Sequence, residues 1–149
     1  LALGGDILKR NRNYAKAIEP YEKVVQAKRA DEKVLLSLAE CYCRVKNYGM
    51  LGQVTKLLNE QGRDKVTLRK IEIRAFLQKK LAEAHDLLVQ MKDVEEDSEL
   101  MLLWALYELS EGRRGTALEY VKKAAELDPH DWEAAELQKM LSQGGDIRL

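Results

Sequence analysis

The chain has 149 residues, 46% of them hydrophobic and 34% charged, a globular mixture too apolar for disorder and long enough for one domain with a continuous core. Lys plus Arg balances Asp plus Glu at 25 each. That balance argues against a general nucleic-acid or anionic-membrane binder, which needs a basic excess. No apolar run approaches the roughly 18 residues of a membrane span.

With only 2 Pro and 9 Gly, long helices are permitted. The apolar periodicity predicts nine, over 2–11, 14–28, 32–45, 48–60, 65–79, 81–92, 97–111, 114–127 and 130–142. The second carries Ala17, Ile18, Tyr21, Val24 and Val25 on one face, and the third carries Leu35, Leu38, Ala39, Tyr42 and Val45. The fourth repeats the pattern with Leu51, Val54, Leu57 and Leu58. The fifth has a less regular stripe of Leu68, Ile71, Ala75 and Gln78. Leu81, Ala84, Leu87, Leu88 and Met91 mark the sixth, and Leu100, Leu103, Trp104 and Tyr107 the seventh. Ala117, Leu118, Val121, Ala124 and Ala125 mark the eighth. Breaks fall at Lys46-Asn47, Gln61-Gly62-Arg63-Asp64, Lys79-Lys80 and Glu111-Gly112-Arg113, where helical hairpins turn. In the last helix Asp131 is the expected N-cap, with Trp132, Ala135 and Leu137 facing inward.

Helices two, four, six and eight form one series. Asn13-Tyr14 returns as Asn47-Tyr48 after 34 residues, and the apolar pattern returns twice more at steps of 33. The run from Ala117 to Leu127, closed by Asp128-Pro129, resembles the second helix of a tetratricopeptide repeat. The run from Ala17 to Val25 is similar, with Tyr21 at the family's aromatic position. Gly5 and Ala39 occupy the small position of the first helices, and Tyr42 and Tyr107 match the buried aromatic. Leu51, Glu72 and Trp104 depart from the pattern.

The resemblance implies an all-α, right-handed superhelical array of antiparallel helix hairpins. Four repeats over 1–31, 32–64, 65–96 and 97–129 form a single domain with a capping helix over 130–142. Because the chain starts at Leu1 rather than Met, it reads as a piece of a longer protein. The tail from Gly144 echoes Gly4-Gly5-Asp6-Ile7 and either begins another repeat or matches by coincidence.

In this family the first helix of each pair lines the concave side. The resemblance therefore assigns a partner-binding groove to Lys33, Leu36, Ser37, Glu40 and Arg44 in the second repeat. The third contributes Arg69, Lys70, Ile73, Phe76 and Leu77, and the fourth Met101, Leu102 and Glu108; Asp6, Lys9, Arg10, Cys43 and Ala105 are groove candidates on the same ground. Such a groove suits a peptide or amphipathic helix of another protein. Seven basic residues between Arg63 and Lys80 point to a partner of acidic character or to a solvated basic face. Ile73 and Phe76 lie off the core stripe and would be exposed without a partner. The clamp with which some family members hold a chaperone C-terminus is not reproduced, since Ala2, Asp6 and Ser37 stand where its Lys and two Asn belong and only Lys70 matches.

No paired carboxylates, Ser/His or Cys/His arrangement or glycine-rich loop signals an enzyme, and no cofactor or metal is expected. Cys41-Tyr42-Cys43 lacks a second ligand pair for zinc. Its two thiols point about 200° apart on a helix, so they read as unpaired and lean toward a reducing, cytoplasmic setting, with localisation left open. His85 and His130 read as surface residues. The acidic run Asp93, Glu95, Glu96, Asp97 and Glu99 reads as the start of a helix capped by Asp97 or Ser98. The expected function is a protein–protein interaction scaffold, the alternative a self-associating module that stacks end to end as a homo-oligomer.

Overall fold

The computed structural model describes residues 2–28, 30–91 and 97–143. Among the described residues the chain forms nine helices and no strand. They are α1 (Ala2–Arg10), α2 (Tyr14–Gln26), α3 (Glu32–Arg44), α4 (Tyr48–Gln61), α5 (Lys65–Lys79), α6 (Leu81–Gln90), α7 (Ser98–Ser110), α8 (Arg114–Leu127) and α9 (Trp132–Ser142). The element bounds follow the periodicity to within a few residues. No helix among the described residues is long and apolar enough to cross a membrane.

One turn recurs. After α1, Arg12 enters the left-handed region at φ 62°, with Asn13 N–H donating to Leu8 O (2.8 Å) and Arg12 N–H to Lys9 O (2.9 Å). After α3, Lys46 (φ 63°) does the same, with bonds from Asn47 to Tyr42 and from Lys46 to Cys43. After α7, Gly112 (φ 80°) repeats it with Arg113 on Glu108 and Gly112 on Leu109. This pairing satisfies the last carbonyls of a helix and reverses the chain within three residues. The α5–α6 junction is different: Lys80 keeps a negative φ of −136° and its N–H donates to Phe76 O.

The helices group into two compact units, Leu1–Ile71 and Glu72–Leu149, and the boundary falls inside α5. In the first unit α1 packs on α2, α2 on α3 and α3 on α4, and α1 also touches α3. Gly5 is buried because the Tyr21 ring lies directly on it. Ala17, Val24, Leu38, Ala39, Tyr42, Leu51 and Leu58 complete that core. Each buried tyrosine finds a carboxylate: Tyr21 Oη donates to Asp6 Oδ1 and Tyr42 Oη to Glu22 Oε1, both at 2.5 Å. Burial, and then the bonded carboxylate, push both phenols above their usual range.

In the second unit α7 is the centre. Leu100 through Ala105 are all buried, against Ala84 and Leu88 of α6, Ala117, Val121 and Ala124 of α8, and Ala134, Leu137 and Leu141 of α9. Asp97 caps α7 through Leu100 N–H (2.7 Å), and Asp131 caps α9 through Glu133 and Ala134 N–H. Ser98, the other residue expected to cap, instead donates to Ala124 O and Asp131 Oδ2, tying α7 to the start of α9. Trp132 was expected inward but is 40% exposed, and Ala135 is exposed too. The buried stripe of α9 is Ala134, Leu137 and Leu141, a rotation of the helix set by where Asp131 starts it. Asp93, Glu95, Glu96 and the tail from Gly144 lie outside the described residues.

Candidate functional site

The residues expected to line a groove fall into three groups. On the first unit, Lys9 Nζ pairs with Glu40 at 2.8 Å and also donates to Ser37 Oγ at 3.4 Å. Arg44 reaches Glu40 at 4.0 Å and lies 5.2 Å from the centre of the Tyr14 ring. Ser37 and Cys43 are buried, and Leu36 is half-buried. This surface of α1 and α3 therefore carries a network in which Lys9 and Arg44 share the Glu40 carboxylate. Lys33 is exposed on α3.

The basic run around α5 is largely spent within the protein. Lys65 Nζ donates to the Leu58 and Asn59 carbonyls at the end of α4, where a cation favours the helix terminus. Arg69 was expected to face a groove, but its Nη2 donates to Asn59 Oδ1 at 2.9 Å. Arg74 makes a two-pronged pair with Glu133 of α9 at 2.9 and 3.1 Å. Lys80 pairs loosely with Glu83. Lys70 is half-buried and holds its own interactions, one of which helps depress the Asp64 carboxyl.

The apolar candidates of the second unit are mostly core. Ile73 is fully buried, and Met101, Leu102 and Ala105 are buried with it, while Phe76 and Leu77 pack against the same cluster. The expectation of exposure for Ile73 thus fails: it is buried in the core cluster of the second unit, and no partner is needed to cover it. Glu108 is buried and held by the Arg113 guanidinium, which also sits over the Tyr107 ring. His85 is half-buried rather than on the surface, stacked on Tyr107 at 4.9 Å and edge-on to Trp104. His130 is exposed, as expected. Trp104 is core, stacked on Tyr120 at 5.8 Å. Cys41 and Cys43 are buried thiols that are not joined in a disulfide, and burial pushes Cys41 up to about 11.

A cleft that the periodicity did not single out opens in the first unit, between α2, α3 and α4. Its volume is about 330 Å³, within the range of sites that take a small molecule or a side chain. Val25 of α2, Leu35 and Leu38 of α3, and Met50, Val54 and Leu57 of α4 form its walls. Glu22, Gln26, Gln53 and Tyr42 bring the polar atoms. Among the described residues Glu22 is the single carboxylate and no cation joins it in the lining. Tyr42 holds Glu22 Oε1 from inside the core, which aims the carboxylate. Met50 stands at the mouth, 36% exposed.

The sequence offers a faint signal for this place. Gln26 and Gln53 sit beside the apolar stripes of α2 and α4, where a fully packed interface would carry aliphatic residues. No protein-family model matches the chain, and no curated protein or solved structure matches it.

Proposed function

We propose that the chain is a tetratricopeptide-like repeat scaffold, a superhelical array of helix hairpins that holds a segment of another protein and catalyses nothing. The recurrent hairpin turn at Arg12, Lys46 and Gly112 supports the repeat, as do the small buried residues Gly5 and Ala39 at equivalent positions. The observation that carries the binding function is the open apolar cleft between α2, α3 and α4. It leaves walls of aliphatic side chains in contact with solvent, and covering such walls is how a partner gains affinity. The networks around Glu40 and α5 make the first-helix faces the weaker candidate, because a partner must displace existing ion pairs to bind there.

The test is affinity capture from native cell extract with three versions of the chain: wild type, Met50→Glu and Lys33→Glu/Lys70→Glu. A protein held by wild type and lost with Met50→Glu supports binding through the cleft. Loss with the lysine pair alone moves the site to the first-helix faces, and equal capture by all three refutes both.

A second reading is self-association. Leu3 and Ile7, one turn apart on α1, are 69% and 49% exposed, an apolar face of the kind a neighbouring helix covers. Light scattering over a concentration series tests it. A mass that rises with concentration and falls back with Ile7→Glu supports stacking; a constant monomer mass removes it.

A further inference from the structure

The α2–α3–α4 cleft has a charge that its walls do not answer. Among the described residues its lining holds one carboxylate, two amides and a phenol among aliphatic side chains, with no Lys or Arg. Glu22 is half-buried, and its Oε1 is already fixed by the Tyr42 hydroxyl. A carboxylate held in one orientation beside apolar surface attracts a cation more strongly than a freely rotating one in water, because little reorganisation is left to do.

Resting on the scaffold reading above, we propose that this cleft receives an arginine side chain presented by the partner protein. The guanidinium would meet Glu22, with the amide oxygens of Gln26 and Gln53 as further acceptors. An arginine brings a planar fork of five donors, and a carboxylate flanked by amide oxygens suits that fork better than it suits the compact ammonium of lysine. Its three-methylene stem would lie along Val25, Leu35, Leu57 and Met50, the arrangement in which long cationic side chains bury their stems and keep their heads polar. The apolar walls explain why an anionic or purely polar group is a poor occupant. Glu22 explains why a purely aliphatic one is incomplete, since it would strip water from the carboxylate and return no hydrogen bond.

The experiment uses the full chain and two probes of the same shape, N-acetyl-arginine amide and N-acetyl-citrulline amide. Citrulline keeps the length and planarity of arginine and lacks the charge. Binding is read from the methyl NMR signals of Met50, Val54 and Leu57. The expected result is that arginine shifts these signals at concentrations about tenfold lower than citrulline does. Glu22→Gln, which keeps an acceptor for Tyr42, should weaken arginine by about the same factor and leave citrulline unchanged. Equal binding of the two probes, no shift with arginine, or indifference to Glu22→Gln would each overturn the proposal.

Failure here is distinguishable from failure of the scaffold reading. A partner lost with Met50→Glu but retained by Glu22→Gln keeps the cleft as a protein site and removes the arginine.

Discussion

The close approach of α1 and α2 can be tested with a single methyl group. A Cβ built on Gly5 would lie 2.8 Å from both Cε1 and Cζ of Tyr21 and 3.0 Å from Cδ1, where ordinary contact begins at 3.4 Å. The ring cannot step aside, because Tyr21 is fully buried and its hydroxyl is tied to Asp6, the residue after Gly5. Relieving the clash therefore means opening α1 from α2 by several tenths of an ångström, an overpacking cost of about 1–3 kcal/mol. Replacing Gly by Ala within a helix gives back about 1 kcal/mol. Gly5→Ala should thus lose about 1 kcal/mol net.

Gly4 supplies the control, because a Cβ there meets nothing within 4 Å. Gly4→Ala should gain about 0.5–1 kcal/mol. The two substitutions, one residue apart, should therefore separate by about 2 kcal/mol. Urea denaturation followed by far-UV circular dichroism, with hydrogen exchange of the α1 and α2 amides, measures both. If the two alanines stabilise equally, the Tyr21 ring does not lie on Gly5 and the packing described for this hairpin is wrong.

Three further outcomes are expected. Lys46→Gly removes a side chain from a left-handed position and should stabilise by about 1 kcal/mol, seen as a higher urea midpoint with unchanged slope. Arg74→Ala leaves Glu133 partly buried without its two-pronged partner and should cost about 1–3 kcal/mol. Tryptophan emission reports it, since Trp104 and Trp132 both lie in the second unit. The Asp64 carboxyl is held below its ordinary range, first by the Thr67 hydroxyl and then by the Thr67 amide. A depressed carboxylate stabilises above its unfolded value near pH 4 and loses that contribution as pH falls through the folded value. Asp64→Asn should therefore flatten the acid limb of the stability–pH profile of the first unit, and an unchanged limb would contradict the part assigned to the Thr67 hydrogen bonds.

Helix placement was legible because it depends on local information. Apolar residues at three- and four-residue spacing, the caps Asp97 and Asp131, and breaks at Lys46-Asn47 and Gly112 each act within a few residues of themselves. Burial was less legible where a helix lacks a one-sided pattern. In α7, Leu100 to Ala105 are apolar all round, so periodicity gave no means of separating groove from core at Met101 and Leu102. Ile73 stands among Arg69, Lys70 and Arg74, and it is buried by a cluster of side chains from later in the chain. Trp132 misled through size, as a large apolar residue beside the cap, while the smaller Ala134 took the inward position. The cleft is a matter of imperfect filling among three helices, which no single stretch of chain encodes.

The all-round apolar character of α7 has a consequence for the life of the protein in a cell. From Leu100 to Tyr107 there is no charge and no proline, and in the folded chain six of those eight residues, Leu100 to Ala105, are hidden. Once the hairpins of the second unit open, the same stretch becomes a sticky, uncharged window of the kind that nucleates aggregates and recruits chaperones. Substitutions that loosen the second unit, such as Arg74→Ala, are therefore expected to lower the chain's abundance by unwrapping α7 more often.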